Sequence, residues 1–392
     1  MRFPVVAPGL VALLMMGPGL AADELDDAIR DVSQVSENAD GSAAAARAVQ
    51  LLKQQQVDFL PRLMEAMDTD NIVAANWYRQ AYETIVAREL AGDDPQLPTD
   101  FLRTLVLDQQ RQGRLRRLAW DLLDSVDPDF RQTHLKSLLA DPEFSSDAVA
   151  LTMQAAARLL ADDKQLLAVE KYRQAFEASR QSGQIIAAAD QLARLEHPVD
   201  IIQHMGLLNR WYLLGPFDAP GFSGFKTSFP PQKKVDLAAQ YDGKDGQQIR
   251  WRPVQTSDRL GQLNLIQEIA AVKEAVGYAY AEVHSPRTQA AELRCGADDN
   301  MTVWINGTLA FSRGQWLNGT RLDRFSSPIQ LRKGTNKILI KICQGPQHKN
   351  PAVPNNWSMQ LRFCNASGGS IGVKTLLPSA EDLAAADKDE KE

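Results

Sequence analysis

The stretch Met301-Thr302-Val303-Trp304-Ile305-Asn306-Gly307-Thr308-Leu309-Ala310-Phe311 decides how the second half of the chain folds. Met301, Val303 and Ile305 alternate with Thr302 and Trp304, the period of two by which a strand buries one face. Asn306-Gly307 follows at once and suits the two positive φ angles of a type I′ turn, so a hairpin into Leu309–Phe311 is predicted. Similar short runs, rich in β-branched or aromatic residues, recur at Ile249–Trp251, Val276–Val283, Ala291–Cys295, Lys337–Cys343 and Trp357–Cys364. Bounded by Gly and Pro over roughly 170 residues, they argue for an antiparallel β-sandwich rather than a parallel sheet.

Upstream the period changes. Leu60, Leu63, Met64 and Met67, then Ala74, Trp77, Ala81 and Ile85, then Leu102, Leu105 and Val106 recur at helical spacing. Residues 23–205 hold four Gly and six Pro, whereas the chain after Met205 holds 17 and 11. That shift predicts a domain boundary near residues 205–210. Phe59-Leu60-x-x-Leu63-Met64 and Phe101-Leu102-x-x-Leu105-Val106 start 42 residues apart, each followed by a Trp (Trp77, Trp120). Helix pairs at that interval predict an α-solenoid, in which each unit buries its apolar face only against its neighbours; an irregular helical bundle is the alternative. Leu60–Asp68 with Asn71–Val86 resembles a HEAT-type unit, and Tyr172–Phe176 with its Ala-rich partner is similar to a TPR.

Three segments carry a further resemblance: Trp211-Tyr212-Leu213-Leu214-Gly215-Pro216-Phe217-Asp218, the stretch Gly296-Ala297-Asp298-Asp299 through Val303-Trp304-Ile305-Asn306-Gly307, and Leu331-Arg332-Lys333-Gly334-Thr335-Asn336 through Ile338-Leu339-Ile340-Lys341. Over residues 210–372 they resemble a module of exported bacterial multidomain proteins. The resemblance implies a jelly-roll sandwich similar to galactose-binding-like domains and to the sandwiches that accompany glycoside hydrolases. It implies a binding or assembly module, often attached to helical repeats, and no catalysis. The expected fold is therefore α + β and multidomain: a HEAT-like α-solenoid over 23–205, a jelly-roll sandwich over 206–377, and a solvated acidic tail over 378–392.

Candidate ligand-binding residues cluster around the quoted stretch. Alternation sends Trp304 and Asn306 away from Met301, Val303 and Ile305, with Trp316 in the loop beyond. A Trp platform beside amide and carboxylate groups suits a sugar, whose C–H face packs on the ring while its hydroxyls find polar partners. The alternative packs Trp304 under a loop. Asp298 and Asp299 offer two carboxylates, short of the six or more oxygens that Ca²⁺ takes, and bonding to turn amides explains them more simply. No metal and no cofactor is expected.

Met1–Ala22 has Arg2 as its one charge, an apolar run over Val5–Met16 and small residues at 19–22, the order of a cleavable signal peptide. Cleavage after Ala21 is preferred to cleavage after Ala22; a membrane anchor is the alternative, although Pro8, Gly9, Gly17 and Pro18 interrupt the run. The mature chain is expected to be exported, periplasmic or extracellular, with no transmembrane span. In such a compartment Cys343 and Cys364, both facing away from the apolar residues of their strands, can oxidise if those strands are antiparallel neighbours; otherwise all three cysteines stay reduced, with Cys295 buried in either case.

Residues 23–205 hold 19 basic and 31 acidic side chains, residues 206–378 hold 21 and 12, and neither balance demands nucleic acid. The five histidines (134, 197, 204, 284, 348) are scattered, with no His-Glu-x-x-His, Gly-x-Ser-x-Gly or P-loop motif. The expected function is non-catalytic: the helical array holds a protein partner, and the sandwich recognises a carbohydrate or a cell-envelope surface. Two other readings stay open: a glycan-active hydrolase with a carboxylate pair that the sequence does not reveal, and a purely structural envelope protein.

Overall fold

A computed structural model of the chain describes residues 22–317, 319–346, 349–350 and 355–376. Apart from Ala22, the expected leader lies outside these residues, as does the acidic tail. The described residues form helices and antiparallel sheets gathered into two compact units.

The first unit runs to His134 and includes Asp141–Glu143. It holds α1 (Ala22–Ser33), α2 (Ser42–Lys53), α3 (Leu60–Met67), α4 (Ile72–Leu90), α5 (Thr99–Leu107), α6 (Gly113–Asp124) and the first turns of α7 (Phe130–Leu138). Each packs the face that its sequence period offers: Leu60, Leu63, Met64 and Met67 in α3, and Leu102, Leu105 and Val106 in α5. Asn71 starts α4, its side-chain oxygen accepting from the amides of Val73 and Ala74 while its Nδ2 donates to the Val35 carbonyl. Inside the unit the Arg116 guanidinium donates to the Val106 carbonyl and pairs with Asp141, both side chains being 3% exposed. Burial of this charge is tolerable only because every charged atom has a partner.

The second unit takes Leu135–Ala140 and the described chain from Phe144 on. It begins with α8 (Ser145–Ala161), α9 (Gln165–Ala178), α10 (Ser182–Arg194) and α11 (Ile201–Met205). Alanines 148, 156, 168, 175, 188 and 189 line their contacts and let the helix axes approach. Asp200 caps α11, and Gly206 at φ 70° ends it in the left-handed region that glycine enters without strain. The change from helix to strand thus falls between Met205 and Arg210, but the compact units divide at residues 135–144. Helical period shows that α8–α11 are helices and is silent on which core they share. Their partner is the sandwich: Leu208 donates its amide to the Leu361 carbonyl, and Arg362 donates to the Met205 carbonyl.

Thirteen strands follow among the described residues: β1 (Arg210–Asp218), β2 (Gln240–Asp242), β3 (Gln248–Arg250), β4 (Arg252–Gln255), β5 (Leu263–Asn264), β6 (Ala275–Ser285), β7 (Gln289–Ala297), β8 (Met301–Ile305), β9 (Thr308–Arg313), β10 (Phe325–Leu331), β11 (Gly334–Gln344), β12 (Ser358–Cys364) and β13 (Lys374–Thr375). Two short helices, α12 (Pro230–Lys233) and α13 (Leu265–Glu268), interrupt them. One sheet has the order β4-β1-β6-β11-β8-β9, with β13 also on β6; the other has the order β10-β7-β12-β5. They pack face to face: Ala279, Ala281, Val303, Ile305, Ile338, Ile340 and Ile342 of the first meet Leu293, Cys295, Met359, Leu361 and Phe363 of the second. Trp357 is fully buried in this core and donates its indole N–H to the Ile342 carbonyl. Burying each Ile, Leu, Phe or Met side chain of this core contributes about 1.5–3 kcal/mol.

The opposite face of the first sheet is also covered. Residues 219–251, including β2 and β3, lie over it and form a second cluster in which Phe217, Tyr278, Tyr280, Leu339 and Cys343 meet Phe225, Phe229, Val235, Tyr241 and Trp251. This corrects the cysteine pairing. Cys343 and Cys364 do point away from the main core, but β11 and β12 belong to different sheets, so the two thiols sit on opposite outer faces. Cys295, Cys343 and Cys364 are all free and buried, and burial pushes the Cys295 and Cys343 thiols up to about 12.

Candidate functional site

The predicted hairpin forms as the sequence demands: β8 pairs β9 antiparallel, and Asn306 and Gly307 take φ values of 53° and 80°. Register then places side chains in rows across the outer face of the first sheet. Tyr212, Tyr280, Leu339 and Trp304 are successive cross-strand partners on β1, β6, β11 and β8. One step along, Glu282 stands opposite Lys337. Asn306 locks to β11 there: its Oδ1 accepts the Lys337 amide at 3.0 Å, and its Nδ2 donates to Asn336 Oδ1 at 2.9 Å.

These rows floor an open cavity of about 600 Å³. Tyr280, Leu339 and Trp304 supply its apolar and aromatic surface; Asn306, Thr335 and Lys337 continue the floor; Pro231–Val235 overhang it, and Arg332 reaches it from the loop before β11. Trp304 is half-buried, packed on one side against the second cluster. The lining carries four cationic side chains, Lys233, Lys234, Arg332 and Lys337, and among the described residues that line it none is Asp or Glu. The Tyr280 hydroxyl donates to Glu282 at 2.5 Å, and burial with this bond pushes the phenol far above its ordinary value.

A smaller cavity, about 370 Å³, adjoins across the hairpin, and Asn306 and Arg332 line both. Another of about 610 Å³ lies along residues 200–210 and Ser370–Thr375, but no aromatic ring lines it.

The remaining expected site residues sit elsewhere. Trp316 is half-buried, stacks edge-on to Phe222 at 5.8 Å and lines a separate cavity with Phe225 and Asn300, so the two tryptophans share the second cluster but no platform. Asp298 accepts the Gly319 amide; Asp299 accepts the amides of Leu317 at 2.9 Å and Gly345 at 2.5 Å. Both carboxylates are buried and serve the loops at that end of the sandwich. Burial pushes the Asp299 carboxyl up to about 6, the two amide bonds and Lys273 pulling against it. Among the described residues no cluster of three His, Cys, Asp or Glu side chains forms a metal-binding group.

Sequence reasoning did not find Tyr280, Arg332, Lys337 or the Lys233-Lys234 pair. They come from three separate segments, and the trace of them in the sequence is the basic balance of residues 206–378.

No family model matches the chain, and no curated protein matches it. Among solved structures it is similar to an anti-sigma factor domain-containing protein (14% identity, covering 45% of this chain and 47% of that one, TM-score 0.23). It is similar also to a β-glucosidase from Kluyveromyces marxianus in complex with glucose (11%, 45% and 18%, 0.25) and to a family 35 carbohydrate binding module from Clostridium thermocellum (16%, 23% and 72%, 0.16). The chain spans less than half the length of the first two.

Proposed function

We propose that this is a non-catalytic carbohydrate-binding protein whose sandwich holds a saccharide in the cavity floored by Trp304. The observation that carries the reading is the row Tyr280–Leu339–Trp304 opening into about 600 Å³ of space rimmed by hydrogen-bond donors. A sugar presents C–H groups to such a floor and hydroxyls to such a rim. The cavity size falls in the range of small-molecule sites. Binding is favoured over glycoside hydrolysis because hydrolysis asks for two carboxyl groups about 5–10 Å apart across the scissile bond. Among the described residues that line the cavity none is Asp or Glu, and Glu282, beside it in register, accepts the Tyr280 hydroxyl.

The three sequence segments quoted above support a jelly-roll, galactose-binding-like assignment for this sandwich. We read α3 with α4 and α5 with α6 as successive HEAT-like pairs of an α-solenoid that holds a protein partner. Asp68 and Asp108 each follow the last residue of α3 and α5, 40 residues apart, close to the 42-residue interval between the two motifs. The leader-like Met1–Ala22 supports export.

A glycan array tests the saccharide reading, with Trp304→Ala and Trp316→Ala compared after circular dichroism shows both folded. Glycan binding lost with Trp304→Ala and kept with Trp316→Ala is the expected outcome. Binding lost equally in both variants, or no binding by the unaltered chain, refutes the assignment.

A further inference from the structure

We infer that the saccharide taken by this cavity is acidic, carrying a carboxylate or sulfate on its ring, and that it spans at least two sugar residues. The inference rests on the saccharide reading above and adds the chemical class of the ligand. Four cations ring one mouth: Lys233 and Lys234 at the end of α12, Arg332 before β11, and Lys337 on it. All four are exposed at the cavity. Among the described residues Lys233, Arg332 and Lys337 form no ion pair, and Lys234 stands 3.9 Å from Asp236. Glu282 stands opposite Lys337 in register, makes no ion pair with it, and accepts the Tyr280 hydroxyl.

A neutral sugar asks for a mixed rim of donors and acceptors, with carboxylates and amide oxygens to receive its hydroxyl protons. Here the charged rim consists of donors alone. Two side-chain amides line the cavity: Asn306 has its oxygen occupied by the Lys337 amide, and Gln232 has its oxygen occupied by the Phe229 amide and the Tyr278 hydroxyl. Four like charges around one mouth repel each other, and an anionic ligand relieves that repulsion while its charge is steered inward. Arg332 adds geometry to charge, because its planar fork pairs two oxygens of a carboxylate or sulfate at once. It stands where the two cavities meet, so an acidic group held there leaves one ring over Trp304 and a neighbouring ring in the smaller cavity, beside Leu309 and Pro328.

The test is an array of uronate-containing and sulfated oligosaccharides, each beside its carboxyl-reduced or desulfated counterpart, read with the unaltered chain, Arg332→Gln, Lys337→Gln and Trp304→Ala. Hits are followed by titration calorimetry at low and high salt. The expected result is at least tenfold tighter binding of the acidic member of a pair, weakened by salt, and a tenfold loss with Arg332→Gln that the neutral member does not show. Preference among the acidic members then assigns carboxylate or sulfate. Equal binding of acidic and neutral members, both lost with Trp304→Ala, overturns the acidic ligand and leaves the saccharide site standing. No binding of any member overturns both.

Discussion

Asp299 is 2% exposed, and its carboxylate holds two loop amides, those of Leu317 and Gly345. Desolvation outweighs those bonds and lifts its pKa to about 6. Asp298 is raised for the same first reason, and both face Lys273, whose own pKa burial lowers. In the unfolded chain an aspartate titrates near 3.9, roughly two pH units lower. Between about pH 4 and pH 6 the folded state therefore keeps protons that the unfolded state has lost. The contribution of Asp299 to stability is fully present below about pH 4 and is lost as pH rises through 6, about 3 kcal/mol in all. Asp299→Asn is expected to flatten that part of the stability curve, whatever it does to the absolute value. Thermal midpoints of the two proteins at pH 4, 5, 6 and 7 check this; parallel curves refute it. At this scale the turn-amide role of Asp298 and Asp299 was legible in the sequence, since short acidic side chains before a strand commonly bond turn amides. The burial that shifts their protons was not, because it depends on loops at Leu317 and Gly345.

Among the elements, residues 219–251 depend on Lys341. Its ammonium donates to the carbonyls of Phe225 at 3.2 Å and Thr227 at 2.6 Å and lies 5.6 Å from the Phe229 ring centroid. It is 2% exposed, and burial lowers its pKa. Lys341→Met keeps the stem's packing but takes this charged donor away from the Phe225 and Thr227 carbonyls, at about 1.5–3 kcal/mol each. Amide hydrogen exchange over residues 225–235 is expected to accelerate, and ligand affinity to fall with it, since Pro231–Val235 overhang the cavity. Exchange unchanged over that segment would falsify the anchoring role. The strands β6, β7, β8, β11 and β12 were legible as alternation, and so was the hairpin turn. Residues 219–247 show no period, so sequence sent Cys343 outward without revealing what covers it or its neighbour Lys341.

The whole molecule divides inside the helical half rather than at its end. Within the second unit, the Arg362 guanidinium is fully buried, paired with Asp323 and donating to the carbonyls of Met205 and Gly368. A fragment of residues 144–376 is expected to unfold cooperatively. One of residues 206–376 loses the Met205 carbonyl and the cover over Leu207, and is expected to melt at least about 5 °C lower. Scanning calorimetry of the two fragments checks this, and equal midpoints refute it.

Period, turn chemistry and composition determined by themselves the long helices and the strands β6, β7, β8, β11 and β12, because these depend on neighbours a few residues apart. Phe59–Trp77 and Met301–Phe311 are the clearest cases. The grouping of α8–α11 with the sheets, the separation of Cys343 from Cys364 and the assembly of Lys233, Tyr280, Trp304, Arg332 and Lys337 around one cavity were decided only by the tertiary structure. Each depends on strand order and on what covers each face, set by contacts between residues far apart in the chain, which no local pattern encodes.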